Sequence, residues 1–370
     1  MNNKYRINKQ SQQAGECCHA VNKTINKIIF VLVIGIVGTG TVMAEEYSNI
    51  KTDTVCFDSQ YNDITYNITG TIFYKSFNPS NLIIAVHGFV NDRSVWDGGL
   101  LPDENSYART LTNAGYIVLT YDRLGYGQSK INTPGAGFTI DSNVQLQNLR
   151  DIVTQIKNGS NNCSSITKKF RFDKIILIGH SGGSAIIESY AAQYHDVDAI
   201  IPMTPPGLGI NVEFNNTAIN NWIIPQIYAG NDYVTMFPPG SKRISQDCLH
   251  FFFDPNNTDP KISNTYCSNK NLIPSPSGEY LTAQDFWKKT LMSVPQIKVG
   301  LPVLLIFADN DLLFNEYQKA DIDFWKQSCN CNLSILHTKT GHMLMFHESS
   351  GDIIEHIIDW LHSNDIENRK

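Results

Sequence analysis

Short apolar runs alternate with longer amphipathic segments along most of the chain. The apolar runs predict strands at Asp63–Tyr74, Leu82–His87, Tyr116–Tyr121, Lys174–Ile178, Ala199–Met203, Leu301–Phe307 and Leu333–His337. Helical periodicity predicts helices at Glu104–Ala114, Asp141–Lys157, Ser184–Gln193, Asn315–Gln327 and Asp352–Leu361. Runs such as LIIAV and VLLIF are typical of strands that are covered on both faces. The alternation therefore predicts an α/β fold, in which helices flank a mostly parallel central sheet.

The alternation stops between Thr204 and Lys298, in a segment rich in proline, asparagine and aromatic residues. We interpret residues 205–298 as a cap or lid insertion that precedes the penultimate strand. Residues 45–204 and 299–370 then form the core. The aromatic side chains of the insertion have two interpretations, since they could form the core of the cap itself or the wall of a binding pocket.

Composition and charge narrow the class of protein. The chain has 370 residues, of which 42% are hydrophobic and 17% are charged, as is usual for a folded globular protein. The net charge is −6, and no basic patch is visible beyond the N-terminus. A nucleic-acid partner is therefore not expected.

Residues 1–44 resemble a secretory signal peptide. A long basic leader precedes the apolar run Ile28–Ala44, and Val42 and Ala44 are small residues where a signal peptidase cleaves. We expect cleavage after Ala44 and a secreted, extracellular protein. An uncleaved signal anchor is the alternative, because the leader is long, although the apolar run is short for a membrane span. The acidic remainder of the chain argues against a stable membrane partner.

The cysteines outside this leader predict disulfide bonds. They are Cys56, Cys163, Cys248, Cys267, Cys329 and Cys331, an even set that suits a secreted protein but leaves the pairing open. We expect Cys248 and Cys267 to pair, because they lie close together in one loop-rich segment. Cys329 and Cys331 lack a second cluster of metal ligands, so no metal site is predicted. A glycoprotein is predicted for a eukaryotic source, from sequons at Asn67, Asn158, Asn162, Asn215, Asn256 and Asn332.

The segment after the strand Lys174–Ile178 carries the strongest chemical signal. It reads Gly179-His180-Ser181-Gly182-Gly183 and leads into a helical pattern. A serine on a sharp strand-to-helix turn needs neighbours without bulk two positions away, and these are Gly179 and Gly183. Such a turn exposes the Ser181 hydroxyl and directs the Gly182 amide, at the helix N-terminus, toward an oxyanion.

With this motif the chain resembles an α/β-hydrolase from about Val55 to Leu361. His87-Gly88 resembles the oxyanion loop of that family, which implies the amide of Phe89 as a second donor. Residues 122–129, DRLGYGQS, resemble its D-x-x-G-x-G-x-S turn. Asp311 follows the strand VLLIF, where the family carries its triad acid, and His342 in Gly341-His342 resembles the triad histidine.

The resemblance implies a catalytic triad of Ser181, Asp311 and His342. A serine hydroxyl is a poor nucleophile and needs a base such as His342, which in turn needs a carboxylate to fix its tautomer. Asp309 is the alternative acid, but it breaks the usual spacing. No metal or organic cofactor is needed for this chemistry.

Several nearby residues are given structural interpretations. We expect His180 to pack or hydrogen-bond locally, and His250 and His347 to be surface or structural residues. Asp122 and Arg123 are expected to form an internal ion pair that holds their loop.

The expected activity is hydrolysis of a carboxylic ester through an acyl-enzyme. The substrate is expected to be a small or medium apolar acyl compound. Relatives that open epoxides or remove halogens carry Asp at the position of Ser181, so those activities are not expected. The same triad also serves lipases, lactonases, perhydrolases and acyltransferases. A hydrolase-fold binding protein without catalysis is the alternative from another class.

Overall fold

A computed structural model describes residues 49–61, 63–76, 80–98, 106–160, 163, 172–237, 242–268 and 272–366. The predicted signal peptide, residues 1–44, lies outside these ranges, as does the sequon at Asn162. No helix in the described ranges is long and apolar enough to cross a membrane.

Eight strands form one mixed sheet, and two further strands of two residues pair with each other. In chain order the strands are β1 Lys51–Tyr61, β2 Ile64–Tyr74, β3 Ser80–Val86, β4 Ile117–Tyr121, β5 Phe172–His180, β6 Ala199–Met203, β7 Tyr233–Val234, β8 Ser275–Pro276, β9 Pro302–Ala308 and β10 Asn332–Thr338. The large sheet has the order β1-β2-β4-β3-β5-β6-β9-β10. Only β2 runs against the others, because it pairs antiparallel with both β1 and β4. The predicted fold class is confirmed.

The α-helices of the described ranges fall between these strands. They are α1 Tyr107–Asn113, α2 Ala136–Thr139, α3 Ser142–Lys157, α4 Gly182–Tyr194, α5 Val212–Phe214, α6 Ile224–Tyr228, α7 Lys242–Phe252, α8 Pro260–Tyr266, α9 Ser277–Ser293, α10 Gln318–Ser328 and α11 Ser350–Ser363. A π-helix at Asn215–Ile223 joins α5 to α6. Short 3-10 helices lie at Arg93–Asp97, Gly127–Ser129, Val294–Gln296 and Leu344–Phe346.

Seven of the eight strands of the large sheet were predictable, and the edge strand β1 was not. The seven predicted strands are present with ends shifted by no more than two residues, and β6 matches without any shift. The eighth, β1, was missed because it is an edge strand with polar residues along much of its length. Its buried residues are Val55–Phe57 and Ser59.

Between β6 and β9 the chain leaves the large sheet. This segment contains α5 to α9 and the β7–β8 pair, and it precedes the penultimate strand. We retain 205–298 as the proposed extent of the cap. Many of its aromatic side chains are buried, including Phe237, Phe252, Tyr266 and Trp287.

Disulfide bonds account for the six cysteines outside the predicted leader. The expected pair, Cys248 with Cys267, is present. Cys56 pairs with Cys163, and Cys329 pairs with Cys331. In the described part of the chain, no cluster of three or more metal-ligating side chains is found.

Candidate active site

The parallel strands place the predicted site residues along one edge of the sheet. Phe89 follows β3, Ser181 follows β5, Asp311 follows β9 and His342 follows β10. Since these strands are parallel, their carboxyl ends share that edge, which is where open α/β sheets bind ligands.

Ser181 lies on a strained turn between β5 and α4. Its backbone has φ 56° and ψ −124°, a conformation that L-residues rarely adopt. The two flanking glycines have no room for a side chain. A Cβ atom on Gly179 would lie 2.5 Å from the Gly183 carbonyl oxygen, and one on Gly183 would lie 2.2 Å from that of Val86. The structure therefore contains the tight turn that the glycine spacing predicts.

Ser181, His342 and Asp311 come together in a hydrogen-bonded chain. Ser181 Oγ lies 3.0 Å from His342 Nε2, and His342 Nδ1 lies 2.9 Å from Asp311 Oδ2. The second carboxylate oxygen of Asp311 accepts the backbone N–H of Leu313 at 2.8 Å. All three side chains are nearly buried, with exposures of 6%, 3% and 2% in the order named. A hydroxyl, an imidazole and a carboxylate in this order can transfer a proton from the hydroxyl to the imidazole.

The alternative acid, Asp309, lies elsewhere. Its carboxylate is 2.8 Å from Nδ1 of His337, and both side chains are more than 40% exposed. Asp309 therefore contacts His337 at the surface, whereas Asp311 faces the imidazole of His342.

The candidate oxyanion donors lie beside Ser181. The backbone at Gly88 passes so close that a Cβ atom there would lie 2.8 Å from the Ser181 Cβ. Phe89 follows directly, and Gly182 is the first residue of α4. The Phe89 ring also packs near Gly182, at 3.5 Å from the position of a Cβ atom there. The loop after β3 and the N-terminus of α4 thus flank the hydroxyl.

Two further histidines support the loop that carries His342, and the sequence did not assign them this role. His180 Nε2 lies 2.9 Å from the His342 carbonyl oxygen. Nε2 of the buried His347 accepts the backbone N–H groups of Gly341 at 2.9 Å and Asp254 at 3.0 Å. Burial lowers the pKa of His180 to about 3 and that of His347 to about 4, so both rings are neutral at pH 7.

A pocket of about 670 Å³, including its part open to solvent, leads to Ser181 and His342. Its walls are mostly apolar and come from both the core and the insertion. Among the described residues that line it there is no Asp, Glu, Lys or Arg side chain. The insertion contributes Ile210, Phe214, Asn215, Ile219, Met236, Phe252, Tyr280, Ala283, Gln284 and Trp287. Some aromatic residues of the insertion therefore line the pocket, and others pack on one another within the insertion, as Phe253 does on Tyr266.

The predicted ion pair between Asp122 and Arg123 is wrong. Asp122 pairs with Arg93, and Arg123 pairs with Glu279 on α9. Successive side chains of an extended segment point in opposite directions, so these two neighbours reach different partners. The Arg123–Glu279 pair is fully buried between the core and the insertion.

Comparisons with solved structures identify the same fold. A soluble variant of monoglyceride lipase from Saccharomyces cerevisiae, in complex with a substrate analogue, superposes with a TM-score of 0.61 at 13% identity, covering 86% of this chain and 97% of that one. A thermostable carboxyl esterase from Bacillus coagulans, in complex with glycerol, gives 0.55 at 14% identity, covering 84% and 98%.

Sequence comparisons agree with the structural ones. A Synechocystis sp. protein named as a non-haem chloroperoxidase is 27% identical over 123 residues, which are 33% of this chain and only 35% of the relative. The sequence model of the α/β hydrolase fold matches residues 81–349, well over half of the chain. This protein therefore belongs to the α/β-hydrolase fold family.

Proposed function

We propose that the protein is a serine hydrolase that cleaves a carboxylic ester through an acyl-enzyme. The observation that carries this proposal is the hydrogen-bonded chain from Ser181 Oγ through His342 to Asp311. Ser181 is the nucleophile, His342 is the general base and acid, and Asp311 holds the imidazole in the required tautomer.

The reaction follows from these positions. As Ser181 Oγ attacks the ester carbonyl carbon, its proton passes to His342 Nε2, and the carbonyl oxygen becomes an oxyanion. The backbone N–H groups of Phe89 and Gly182 stabilise this oxyanion. The tetrahedral intermediate then loses the alcohol, which receives the proton from His342. Water attacks the acyl-enzyme by the same steps and releases the carboxylic acid.

The pocket supports an uncharged, apolar acyl substrate. Its described lining combines aliphatic and aromatic side chains with a few neutral polar groups, among them Asn91, Asn215 and Gln284. Such a wall favours ester groups with hydrocarbon chains over charged or polymeric substrates. The lipase and esterase among the structural neighbours, one holding a substrate analogue, agree with this class. Lipase and lactonase activities are variants of the same proposal.

The proposed location is outside the cell. The signal-like N-terminus and the three disulfide bonds both suit an oxidising compartment. The acidic composition supports release from the membrane after cleavage at Ala44.

The first test is covalent labelling of the secreted protein with a fluorophosphonate, followed by peptide mapping. We expect one adduct, on Ser181, and none in Ser181→Ala, which should also lose ester hydrolysis. Labelling should then be followed by a panel of esters with graded acyl length. A folded wild-type protein that takes up no label contradicts the proposal and favours a binding protein with the hydrolase fold.

A second candidate activity comes from the chloroperoxidase-named relative. In a perhydrolase or an acyltransferase, the same acyl-enzyme passes its acyl group to peroxide or to an alcohol. The partition of the acyl-enzyme between water, hydrogen peroxide and an alcohol can be measured from the products. Exclusive transfer to water excludes both alternatives.

A further inference from the structure

The carbonyl oxygen of Gly88 receives two buried hydrogen bonds beside the proposed oxyanion hole. Nη2 of Arg123 donates to it at 3.1 Å, and His87 Nδ1 lies 2.8 Å from it. His87 Nε2 accepts the backbone N–H of Arg123 at 3.1 Å, so the proton of the neutral ring is on Nδ1. Burial, together with the nearby Arg123, holds the pKa of His87 well below its usual range. The Arg123 guanidinium therefore donates to this carbonyl directly, while the Arg123 backbone N–H fixes the His87 ring that donates to it as well.

The Gly88 carbonyl belongs to the same peptide group as the Phe89 N–H. A trans peptide is planar, with its C=O and N–H pointing in opposite directions, and the described chain contains no cis peptide. Donors that fix the Gly88 oxygen consequently fix the direction of the Phe89 N–H. Two donors on the oxygen also polarise the amide, which makes its N–H a stronger donor.

Glu279 of the insertion holds the Arg123 guanidinium in place. It accepts a hydrogen bond from Arg123 Nη1 and another from the hydroxyl of Tyr126. The guanidinium also lies over the rings of Tyr126, at 4.5 Å, and Phe89, at 5.8 Å. Neither charged side chain is exposed to solvent.

The insertion also binds the loop after β3 at Val90, the residue that follows Phe89. The N–H of Val90 donates to Ser275 Oγ at 3.0 Å, and its carbonyl accepts the N–H of Ile273 at 2.9 Å. Val90 has a φ of 55°, which is costly for a β-branched residue and requires support from its surroundings. The peptide between Gly88 and Phe89 is therefore fixed on both sides by contacts that depend on the insertion.

We propose that Arg123 and Glu279 are positioning residues of the oxyanion hole, through which the insertion aligns the Phe89 amide with the carbonyl of the bound ester. The proposal rests on the proposed function, since the amide matters only if an oxyanion forms at Ser181. It gives the insertion a part in the chemical step as well as in forming the pocket wall.

The test compares three variants of the full-length protein. Glu279→Gln keeps the shape of the side chain but removes its charge. Arg123→Met removes the guanidinium, and the double variant Arg123→Met/Glu279→Met removes both buried charges. Active sites are counted by fluorophosphonate labelling, and kcat and KM for a short-chain ester are expressed per labelled site. Inhibition is measured with an alkyl trifluoromethyl ketone, which forms a tetrahedral oxyanion adduct on serine.

We expect Arg123→Met and the double variant to lower kcat per labelled site by about tenfold or more, with KM changed by less than about threefold. Loss of a whole oxyanion donor lowers kcat by about 10²–10³, and misalignment of the donor should cost part of that factor. Glu279→Gln, which leaves Arg123 in place, should have a smaller effect in the same direction. The inhibition constant of the ketone should rise by the factor by which kcat/KM falls, because both report the oxyanion.

The double variant separates positioning from stability. Removing one member leaves an uncompensated buried charge, whereas replacing both with apolar side chains often restores stability. The positioning role predicts a double variant with recovered thermal stability and a kcat that stays low. Recovery of kcat to within threefold of the wild type overturns the proposal.

The control is Arg93→Gln, which breaks the neighbouring pair with Asp122 and should leave kcat unchanged. Failure of the proposed function itself is distinct, because the wild-type protein would then not be labelled.

Discussion

Asp311 divides its two carboxylate oxygens between two tasks. Oδ2 lies 2.9 Å from His342 Nδ1, while Oδ1 accepts the backbone N–H of Leu313 at 2.8 Å. The backbone contact fixes the carboxylate in the turn after β9, so the oxygen that faces the imidazole cannot rotate away. The orientation of the His342 imidazole thus depends on a local turn and on a contact between distant parts of the chain.

We predict that Asp311→Asn lowers kcat by about 10³–10⁴, as loss of the correct tautomer does in a Ser-His-Asp triad. The amide has nearly the same shape, so the variant should keep its fold and its thermal denaturation midpoint. Steady-state hydrolysis of a short-chain ester measures the effect. Asp309→Asn is the matched control, two residues away and in contact with His337 at the surface, and should stay within about twofold of wild type. The reverse ranking would assign the acid to Asp309.

Gly183→Ala should destabilise the fold by about 2–3 kcal/mol or more. A Cβ atom at this position would lie 2.2 Å from the Val86 carbonyl oxygen, and backbone atoms cannot move away at low cost. Denaturant unfolding measures the change in the free energy of unfolding. The control is Gly351→Ala in α11, where nothing beyond the adjacent residues and the backbone of the helix itself lies within 4 Å of the added methyl. It should be neutral or stabilise by up to about 1 kcal/mol. Equal effects at the two glycines would contradict the steric explanation.

Because of His347, the free energy of unfolding should decrease as the pH falls below about 6.5. Burial lowers its pKa to about 4, so between that pH and its ordinary value near 6.5 the unfolded chain binds a proton that the folded chain does not. The stability that comes from keeping this ring neutral is fully present above about pH 6.5. It decreases as the pH falls and is lost near pH 4. His347→Gln should reduce the loss between pH 7 and pH 4.5 by about 2–3 kcal/mol relative to wild type.

Urea unfolding at the two pH values measures this difference. Comparison with wild type at each pH removes the contributions of other titrating groups. His250→Gln is the control, because that ring is half exposed and its contact with Glu213 is at 3.5 Å. A His347→Gln protein with an unchanged pH dependence would show that the ring is not held neutral by the fold.

Ile219→Trp should shorten the range of acyl chains that the enzyme accepts. Ile219 lies on the π-helix and lines the pocket, so the larger ring would occupy space available to the substrate. We expect kcat/KM for an octanoyl ester to fall about tenfold or more, with less than about threefold change for an acetyl ester. In an apolar pocket, one methylene group changes the discrimination between two substrates by up to about 1–3 kcal/mol. Ile262→Trp, a partly buried isoleucine on α8 outside the pocket lining, should leave the ratio of the two esters unchanged.

The sequence was informative wherever one local pattern determined the outcome. The continuous apolar runs of β3, β5 and β9 predict buried strands because they are too short for a buried helix and are rich in β-branched residues. The turn at Ser181 was predictable for a similar reason, since two glycines at fixed spacing suit a strained turn. The order of these elements along the chain then places the chemical groups at one edge of the sheet.

Features that depend on contacts across the chain were not predictable in this way. Asp122 and Glu279 are both acidic residues that could partner Arg123, and the sequence favoured the nearer one. The fold brings α9 over the loop after β4, which places Glu279 against the guanidinium instead. His347 has the structural role that was one of its two expected roles, but its partners were not predictable, because they are backbone N–H groups, which leave no pattern in the sequence.

The Cys248–Cys267 bridge makes the stability of the site depend on the redox conditions in which the chain folds. Cys248 is on α7, whose last residue, Phe252, packs on the His342 ring at 5.5 Å and accepts the backbone N–H of Met343 at 3.0 Å. Without the bridge, the unfolded chain regains the freedom of a loop with a sequence separation of 19. The pocket wall beside His342 then becomes less stable. Chains produced in a reducing cytosol should therefore contain fewer working sites per molecule than exported chains, even at equal yield.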